Sequence, residues 1–305
     1  MAGEALTDRG PAMPVPAVRS GSFRIQRAVG RAILYVVAIG AAFIFMVPFA
    51  WTIFSSLKTS GELFLYPPTW FPADPQPQNY ATVFELVPFG LWTWNTLIIS
   101  LISTFGAVLS AAIVAYAFAR FRFPGRDMLF MITLSTMMLP VEVTLIPLYL
   151  LFSKIGWLDS FKPLLVPSFF GGGAFLIFLL RQFIMSIPKD LDEAARIDGA
   201  GYLRIFFQII MPLAVPALAT AAILTFMGHW NDFLQPFLFL NTKSKYTLAV
   251  GIKYFQEVAG QVDSMEHRQN ILMAASVMMT APIILLFFVA QRYFVRGIVM
   301  SGIKG

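Results

Sequence analysis

Few residues of this chain have the type and spacing that chemistry needs. Cysteine is absent, which excludes thiolate nucleophiles, disulfides and cysteine-based metal sites. The two histidines, His229 and His267, lie too far apart in sequence to suggest a metal motif. The sequence contains no G-x-x-x-x-G-K-[ST] loop for ATP phosphates, and neither the G-x-S-x-G nor the H-E-x-x-H motif of hydrolases. We therefore expect no catalytic residue, metal ion or other cofactor in this chain.

Two acidic residues stand in strongly apolar stretches, where an ionised group costs about 2.5–3.5 kcal/mol on insertion scales. Asp232 follows Trp230 and Asn231, and Glu142 follows a proline. Carboxylate and amide groups beside an indole suit the binding of a polyhydroxylated solute, so these four residues are predicted to line a translocation path. Two alternatives stay open, a hydrogen bond that fixes helix packing and an acid at the outer interface. A third, an intramembrane enzyme that pairs the two acids, has no supporting motif.

The elements that position these residues are predicted to be membrane-spanning helices. Hydrophobic residues make up 58% of the chain and charged residues 12%, about half the charged share of a soluble domain. Six apolar runs reach the roughly 20 residues that cross a bilayer, and backbone groups in lipid require them to be helical. The predicted spans are Ala32–Phe54, Leu97–Phe118, Met128–Phe152, Leu164–Ile184, Ala214–Leu240 and Ile271–Ala290. The fold class is an all-α membrane protein.

The distribution of basic residues predicts how these spans are oriented. With six spans, fifteen of the 22 lysines and arginines fall on one side of the membrane and seven on the other. The richer side is cytoplasmic by the positive-inside rule, so both termini lie inside. The net charge of +6 is then a topology signal and indicates no nucleic-acid partner.

Three segments follow from this topology. Residues 1–31 form a cytoplasmic tail whose Arg24, Arg27 and Arg31 belong either to a short basic helix at the lipid surface or to a solvated tail. Residues 32–292 form the transmembrane domain, and residues 293–305 form a second cytoplasmic tail.

The loop at residues 186–216, between the fourth and fifth spans, is predicted to form a helix–turn–helix. Pro188 suits the first turn of a helix, the acids that follow it favour the positive end of the helix dipole, and Gly199 and Gly201 favour a turn. A second, amphipathic helix is predicted over residues 202–211. This unit either docks in a groove of another protein or is an ordinary amphipathic loop.

Three stretches of that loop, Glu193-Ala194-Ala195, Asp198-Gly199-Ala200 and Ile210-Met211-Pro212, resemble the EAA signature of ABC importer permeases. Further stretches, such as residues 119–125, 230–233 and 291–297, resemble the smaller permease of the carbohydrate branch, in maltose-type and glycerol-phosphate-type importers. The resemblance implies the type I importer fold and a coupling helix that sits in a cleft of an ATPase subunit. The residues implied to couple to the ATPase are Glu193, Ala194, Ala195, Arg196, Asp198, Gly199 and Pro212.

The resemblance also implies partners for this chain in a prokaryotic inner membrane. They are a second homologous permease, two copies of a P-loop ATPase that carry ATP and Mg, an extracytoplasmic solute-binding protein and membrane lipid. The expected solute is a sugar, an oligosaccharide or a sugar-like polyol phosphate. Importers of amino acids, polyamines or phosphate share the EAA loop and remain the alternative.

Overall fold

A computed structural model describes residues 20–261 and 268–299. Within these ranges the regular structure is entirely helical, as predicted. The α-helices are α1 (Ser20–Ser56), α2 (Ser60–Leu63), α3 (Gln78–Leu86), α4 (Phe89–Arg120), α5 (Arg126–Ser135), α6 (Val141–Lys154), α7 (Lys162–Leu165), α8 (Ala174–Ser186), α9 (Asp190–Ile197), α10 (Tyr202–Ile205), α11 (Met211–Leu213), α12 (Val215–Asn231), α13 (Leu234–Phe239), α14 (Leu248–Gln261) and α15 (Gln269–Val299). Short 3-10 helices occupy Thr136–Met138, Val166–Phe169 and Lys243–Lys245, and a π-helix occupies Phe206–Ile210.

The chain divides into two compact units, residues 1–51 and 52–305, and the boundary falls inside α1. In the first unit α1 runs without interruption from Ser20, so Arg24, Arg27 and Arg31 share one helix with the apolar stretch that follows. The predicted short basic helix is therefore not a separate element. The predicted tail before residue 20 and the end of the chain after residue 299 lie outside the described residues.

Four helical stretches are long and apolar enough to cross a membrane, and the number rises to six if each of two bent pairs counts as one span. The four are Ala28–Ser56, Phe89–Arg120, Lys162–Ser186 and Gln269–Gln291. The prediction of one continuous helix over Met128–Phe152 is wrong, because the chain bends by 96° between Met138 and Val141. Pro140 causes this break: Leu139 before it is extended (φ −78°, ψ 118°), as a residue preceding proline prefers.

The predicted span Ala214–Leu240 is also divided. Helix α12 makes an angle of 78° with the preceding stretch Tyr202–Leu213, and Pro216 lies in its first turn. At its other end α12 stops at Asn231, where Asp232 is extended (φ −66°, ψ 121°), and the short α13 follows. The sequence prediction of one helix through Leu240 is therefore wrong beyond Asn231.

Helix α4 is the centre of the second unit and packs against both α8 and α12. Its buried face carries small side chains at intervals of four residues, which allow neighbouring helices to approach closely. These are Ala107, Ala111, Ala115 and Ala119. At Gly172 (φ +64°), before α8, an added Cβ would overlap the carbonyl oxygen of Ala107, so only glycine fits this contact.

The amino-terminal end of α4 is hydrogen-bonded to the segment 243–248. The side chains of Trp92, Asn95 and Thr96 make these bonds, and all three residues are buried. The bonds run from Trp92 Nε1 to the Lys243 carbonyl (2.9 Å), from Asn95 Nδ2 to the carbonyls of Ser244 (2.9 Å) and Tyr246 (3.0 Å), and from the Leu248 amide to Thr96 Oγ1 (2.7 Å). Helix α14 begins directly after this segment, and its Gly251 lies against the Trp92 ring.

Asp159 joins the connection between α6 and α7 to the same segment. Its Oδ1 accepts the amides of Asn241 (3.0 Å) and Thr242 (2.9 Å), and its Oδ2 accepts Lys245 Nζ (2.9 Å). The hydrogen bonds from Lys245 and Thr242 hold the pKa of this carboxyl well below its usual range. Asp159 is therefore ionised at neutral pH and orders the connection through charge-assisted bonds.

Candidate functional site

The predicted helix of the 186–216 loop is α9, which begins at Asp190. Asp190, Asp192 and Glu193 occupy its first turn, where the helix dipole favours negative charge. The helix ends at Ile197, and Gly199 has φ +81°, a left-handed conformation that glycine adopts without strain. The predicted second helix continues past residue 211, since α10, the π-helix and α11 follow one another to Leu213.

A buried ion pair joins α9 to the carboxyl-terminal end of α4. Arg120 Nε lies 2.8 Å from Asp192 Oδ2, and the two side chains are 2% and 6% exposed. Arg120 also donates from Nη2 to the Ile187 carbonyl (3.0 Å), three residues before α9 begins. Sequence analysis placed Asp192 among the acids that favour the start of this helix and Arg120 in the stretch 119–125, but it did not predict that the two residues pair. The one available signal is that an arginine ends an otherwise apolar span at the position that precedes Phe121.

An aromatic cluster supports this junction from α4 and α10. The Tyr116 ring packs on those of Phe121 (5.4 Å) and Phe206 (5.2 Å), and Phe121 packs edge-on against Tyr202 (4.9 Å). The Arg196 guanidinium lies 4.8 Å from the Tyr202 ring centre, a cation–π contact. The end of α4, the end of α9 and the start of α10 therefore form one packed unit.

The outer face of α9 is exposed and mixes apolar and acidic groups. Glu193, Ala194 and Asp198 are exposed, whereas Ala195 is half-buried and packs on the core. Ile197 is 87% exposed, and Leu203 after the turn is 75% exposed. Sequence analysis did not predict that these two apolar side chains are exposed. The signal was present for Ile197, which stands between two charged residues, Arg196 and Asp198. Pro212, further along the loop, is also exposed.

Beside this face lies a polar cavity of about 670 Å³. Most of the side chains in its wall are charged. Three belong to α9, one directly precedes α9, one ends α4 and one follows α4. They are Arg120, Arg122, Lys189, Asp192, Glu193 and Arg196. The buried ion pair thus forms part of the wall of this cavity.

A second cavity, of about 780 Å³, lies along α4 at Ala107 and is bounded by α6, α8, α12 and α13. The break between α12 and α13 places His229, Asp232 and Gln235 in its wall, with Ser168 and Thr225 from neighbouring turns. Asp232 Oδ1 accepts the Gln235 amide (3.4 Å), so the carboxylate starts the short helix that follows the break. The cavity is the natural candidate for a passage within this chain.

The four residues predicted to line a path do not come together. Asp232 lines this cavity. Trp230 is 2% exposed, and its Nε1 donates to the Met279 carbonyl (3.1 Å), which is a packing role. Asn231 is exposed and donates back to its own helix, and Glu142 is exposed in the first turn of α6; neither lines the cavity. Among the described residues no group of three histidines or acids could hold a metal ion.

The amino-acid sequence of this chain matches a known family and several known proteins. Residues 107–300 match the family described as "Binding-protein-dependent transport system inner membrane component". The arabinooligosaccharides transport system permease protein AraQ of Halalkalibacterium halodurans is 32% identical over 293 residues, covering 92% of this chain and 100% of that protein. The sn-glycerol-3-phosphate transport system permease protein UgpE of Yersinia enterocolitica is 35% identical, covering 79% of this chain and 85% of its own length.

A solved structure agrees with these relatives. It is a crystal structure of a bacterial ABC transporter involved in the import of the acidic polysaccharide alginate, and one of its chains matches with a TM-score of 0.73 and 27% identity, covering 91% of this chain and 99% of that one. This chain belongs to the family of binding-protein-dependent transport system inner membrane components, with the fold of a type I ABC importer permease.

Proposed function

We propose that this chain is the permease subunit of an ABC importer for a sugar or sugar-like solute, and that it forms half of the translocation pathway. The observation that carries the proposal is the exposed face of α9, which bears Glu193 and Ile197 and is joined to α4 by the buried Arg120–Asp192 pair. Two strongly exposed apolar side chains, Ile197 and Leu203, with charged residues in the same loop, suit an interface that has an apolar centre and a polar rim. ATP hydrolysis belongs to partner subunits, and this chain performs no chemistry of its own.

The membrane topology proposed here has six spans: the four long helical stretches, the bent pair Arg126–Lys154, and α12 with α13, so that Tyr202–Leu213 stays in the loop before the fifth span. Both termini and the 186–216 loop then lie in the cytoplasm, in keeping with the excess of basic residues on that side. Residues 1–31 and 293–305 are the cytoplasmic tails, and residues 32–292 form the permease domain. The segment 243–248 and the Asp159 connection face the opposite side, where a solute-binding protein delivers its cargo.

The assembly proposed for this chain contains a second homologous permease, two copies of a P-loop ATPase and an extracytoplasmic solute-binding protein. ATP and Mg are held by the ATPases. Each ATPase cleft receives a coupling helix, with Glu193, Ala194, Ile197 and Asp198 as the contacts on this chain. The other predicted coupling residues support the loop that presents those contacts. Ala195 packs on the core, Arg196 contacts the Tyr202 ring, Gly199 forms the turn, and Pro212 lies at the start of α11.

The solute class rests on the named relatives. One is a permease for arabinooligosaccharides, one for sn-glycerol 3-phosphate, and the structural neighbour belongs to an alginate importer. All are carbohydrates or polyols, which favours a sugar or sugar-like solute over amino acids, polyamines or inorganic phosphate. Asp232 is the path residue with the strongest support because it lines the cavity beside α4.

In the proposed mechanism, closure of the ATPases moves α9, and the Arg120–Asp192 pair passes this movement to α4. Because α4 has no break between Phe89 and Arg120, its other end and the attached segment 243–248 move with it. The cavity beside α4 is thereby opened to alternate sides by rigid-body motion.

The test is co-purification of the ATPase with the tagged permease, expressed together with its partner subunits. Glu193→Arg reverses a charge on the exposed face of α9 and is expected to lower ATPase recovery at least tenfold, because it places a like charge where a basic partner is expected. Glu257→Arg is the matched control, since Glu257 is an exposed helical acid on α14. The proposal fails if no ATPase accompanies the wild-type chain, or if both variants retain it equally.

A further inference from the structure

The cavity beside α4 has an unbalanced charge. Among the described residues that line it, Asp232 is the only one with a carboxylate and none is a lysine or arginine. The other polar side chains of the lining are Ser168, Thr225, Gln235 and His229, and none of them is a carboxylate, lysine or arginine. An anion that enters this cavity meets a like charge and no countercharge from the described lining, a combination that disfavours binding where water is limited.

Helix α12 adds to the same polarity. It is a helix of 17 residues that ends at Asn231, so its carboxyl-terminal end faces the break where Asp232 stands. The last carbonyls of a helix have no partner within it and carry partial negative charge. They attract hydrogen-bond donors, such as sugar hydroxyls, and they repel carboxylate, phosphate and sulfonate groups.

The remaining wall suits the apolar faces of a sugar ring. Phe175 lines the cavity and is 47% exposed, whereas Phe152 and Phe239, which also line it, are buried and pack against each other. Aromatic rings present flat apolar surface to the C–H faces of a pyranose or furanose, while the donors and acceptors beside them meet the hydroxyls. A volume of about 780 Å³ is enough for a short oligosaccharide.

We infer that this cavity takes neutral polyhydroxylated solutes and excludes anionic ones, and that Asp232 is the residue that sets this selection. The inference rests on the proposed function and narrows it, because it separates this chain from relatives whose named solutes are acidic. The glycerol phosphate and alginate of those relatives carry the charge that this wall repels. Neutral oligosaccharides, like that of the AraQ relative, do not.

The absence of cysteine from this chain permits a direct test of the cavity potential. Thr225→Cys places one thiol in the cavity wall of this chain within the complete complex, whose other subunits are made cysteine-free or protected. Its reaction rates with a trimethylammonium and a sulfonate methanethiosulfonate of equal size are compared at pH 7.5. The ratio of the two rates reports the local charge without requiring the natural solute or its binding protein.

The comparison is between Asp232→Asn and Glu142→Gln in that single-cysteine background. Both remove one carboxylate, but Glu142 is exposed and outside the cavity. Asp232→Asn is expected to lower the cation-to-anion rate ratio about tenfold, and Glu142→Gln to leave it within about twofold. Equal ratios in all three proteins, or a wild-type ratio that favours the anion, would overturn the inference. ATPase co-purification and binding-protein-stimulated ATP hydrolysis, measured on the same complexes, report separately on the proposed function.

Discussion

The two ends of α4 are attached to their neighbours by different physical means. At the carboxyl-terminal end the polar contacts to α9 and to the residues just before it come from one side chain, Arg120, which pairs with Asp192 and donates to the Ile187 carbonyl. At the amino-terminal end three neutral side chains, Trp92, Asn95 and Thr96, make four hydrogen bonds to the segment 243–248. The polar attachment is therefore concentrated in one charged residue at the first end and distributed over three neutral residues at the second.

The difference determines how each end responds to damage. Removing one member of a buried ion pair leaves an uncompensated charge and costs about 3–5 kcal/mol. Losing one neutral hydrogen bond among several costs about 1–3 kcal/mol, since the remaining bonds keep the segment in register. We expect the end of α4 that is joined to α9 to lose stability abruptly when one residue is changed, and the opposite end to lose it in smaller steps.

The largest expected effect is at the ion pair. Arg120→Met leaves the Asp192 carboxylate buried without its partner, so we expect thermal stability and coupled ATP hydrolysis both to fall steeply. The double variant Arg120→Met, Asp192→Leu removes both charges and is expected to recover most of the stability, because an apolar pair is tolerated where a lone charge is not. Thermal unfolding in detergent measures this. If Arg120→Met alone is as stable as the double variant, the claim that this end of α4 depends on one buried ion pair is wrong.

An intermediate effect is expected at Gly251, on the opposite end. Alanine there would place its Cβ inside the Trp92 ring, so the ring or α14 must shift, at a cost of about 1–3 kcal/mol. Gly61→Ala is the control, since a Cβ at Gly61 meets nothing within 4 Å. The melting temperature of Gly251→Ala should fall between those of Arg120→Met and the wild type. Equal melting temperatures for Gly251→Ala and Gly61→Ala would show that the Trp92 ring can move aside without a loss of stability.

The smallest expected effect is at Asp159, which supports the segment 243–248 through Lys245 and Thr242. Because these bonds depress the pKa of Asp159 in the folded chain, their contribution is present above the unfolded carboxyl pKa of about 3.9 and is lost as the pH falls below it. Asp159→Asn should therefore melt slightly below the wild type at pH 7, and the gap should narrow towards pH 4. If the difference in melting temperature between the two proteins widens as the pH falls, the Asp159 pKa is not depressed in the folded chain.

Local features of this chain were predictable from its sequence, and long-range ones were not. Apolar runs indicated the spans, and the acids and glycines around α9 indicated that helix, because dipoles, caps and lipid burial act over a few residues. The Arg120–Asp192 pair joins residues distant in the chain, and no local pattern specifies it. Pro140 signalled a kink, but the break at Asp232 lacks a proline before it. Trp230 was assigned to the path because its sequence neighbours are polar, whereas its ring packs in the core.

The unbroken length of α4 has a mechanical consequence. Its 32 residues form a rod of about 48 Å, longer than the roughly 30 Å thickness of the lipid core. With the close Ala107–Gly172 contact as a fulcrum part-way along, the two ends swing in opposite directions. The Phe89 end lies about 27 Å from this contact, so a tilt of about 10° moves it through about 5 Å. A modest rotation at one end of α4 is then enough to displace the other end by several ångströms.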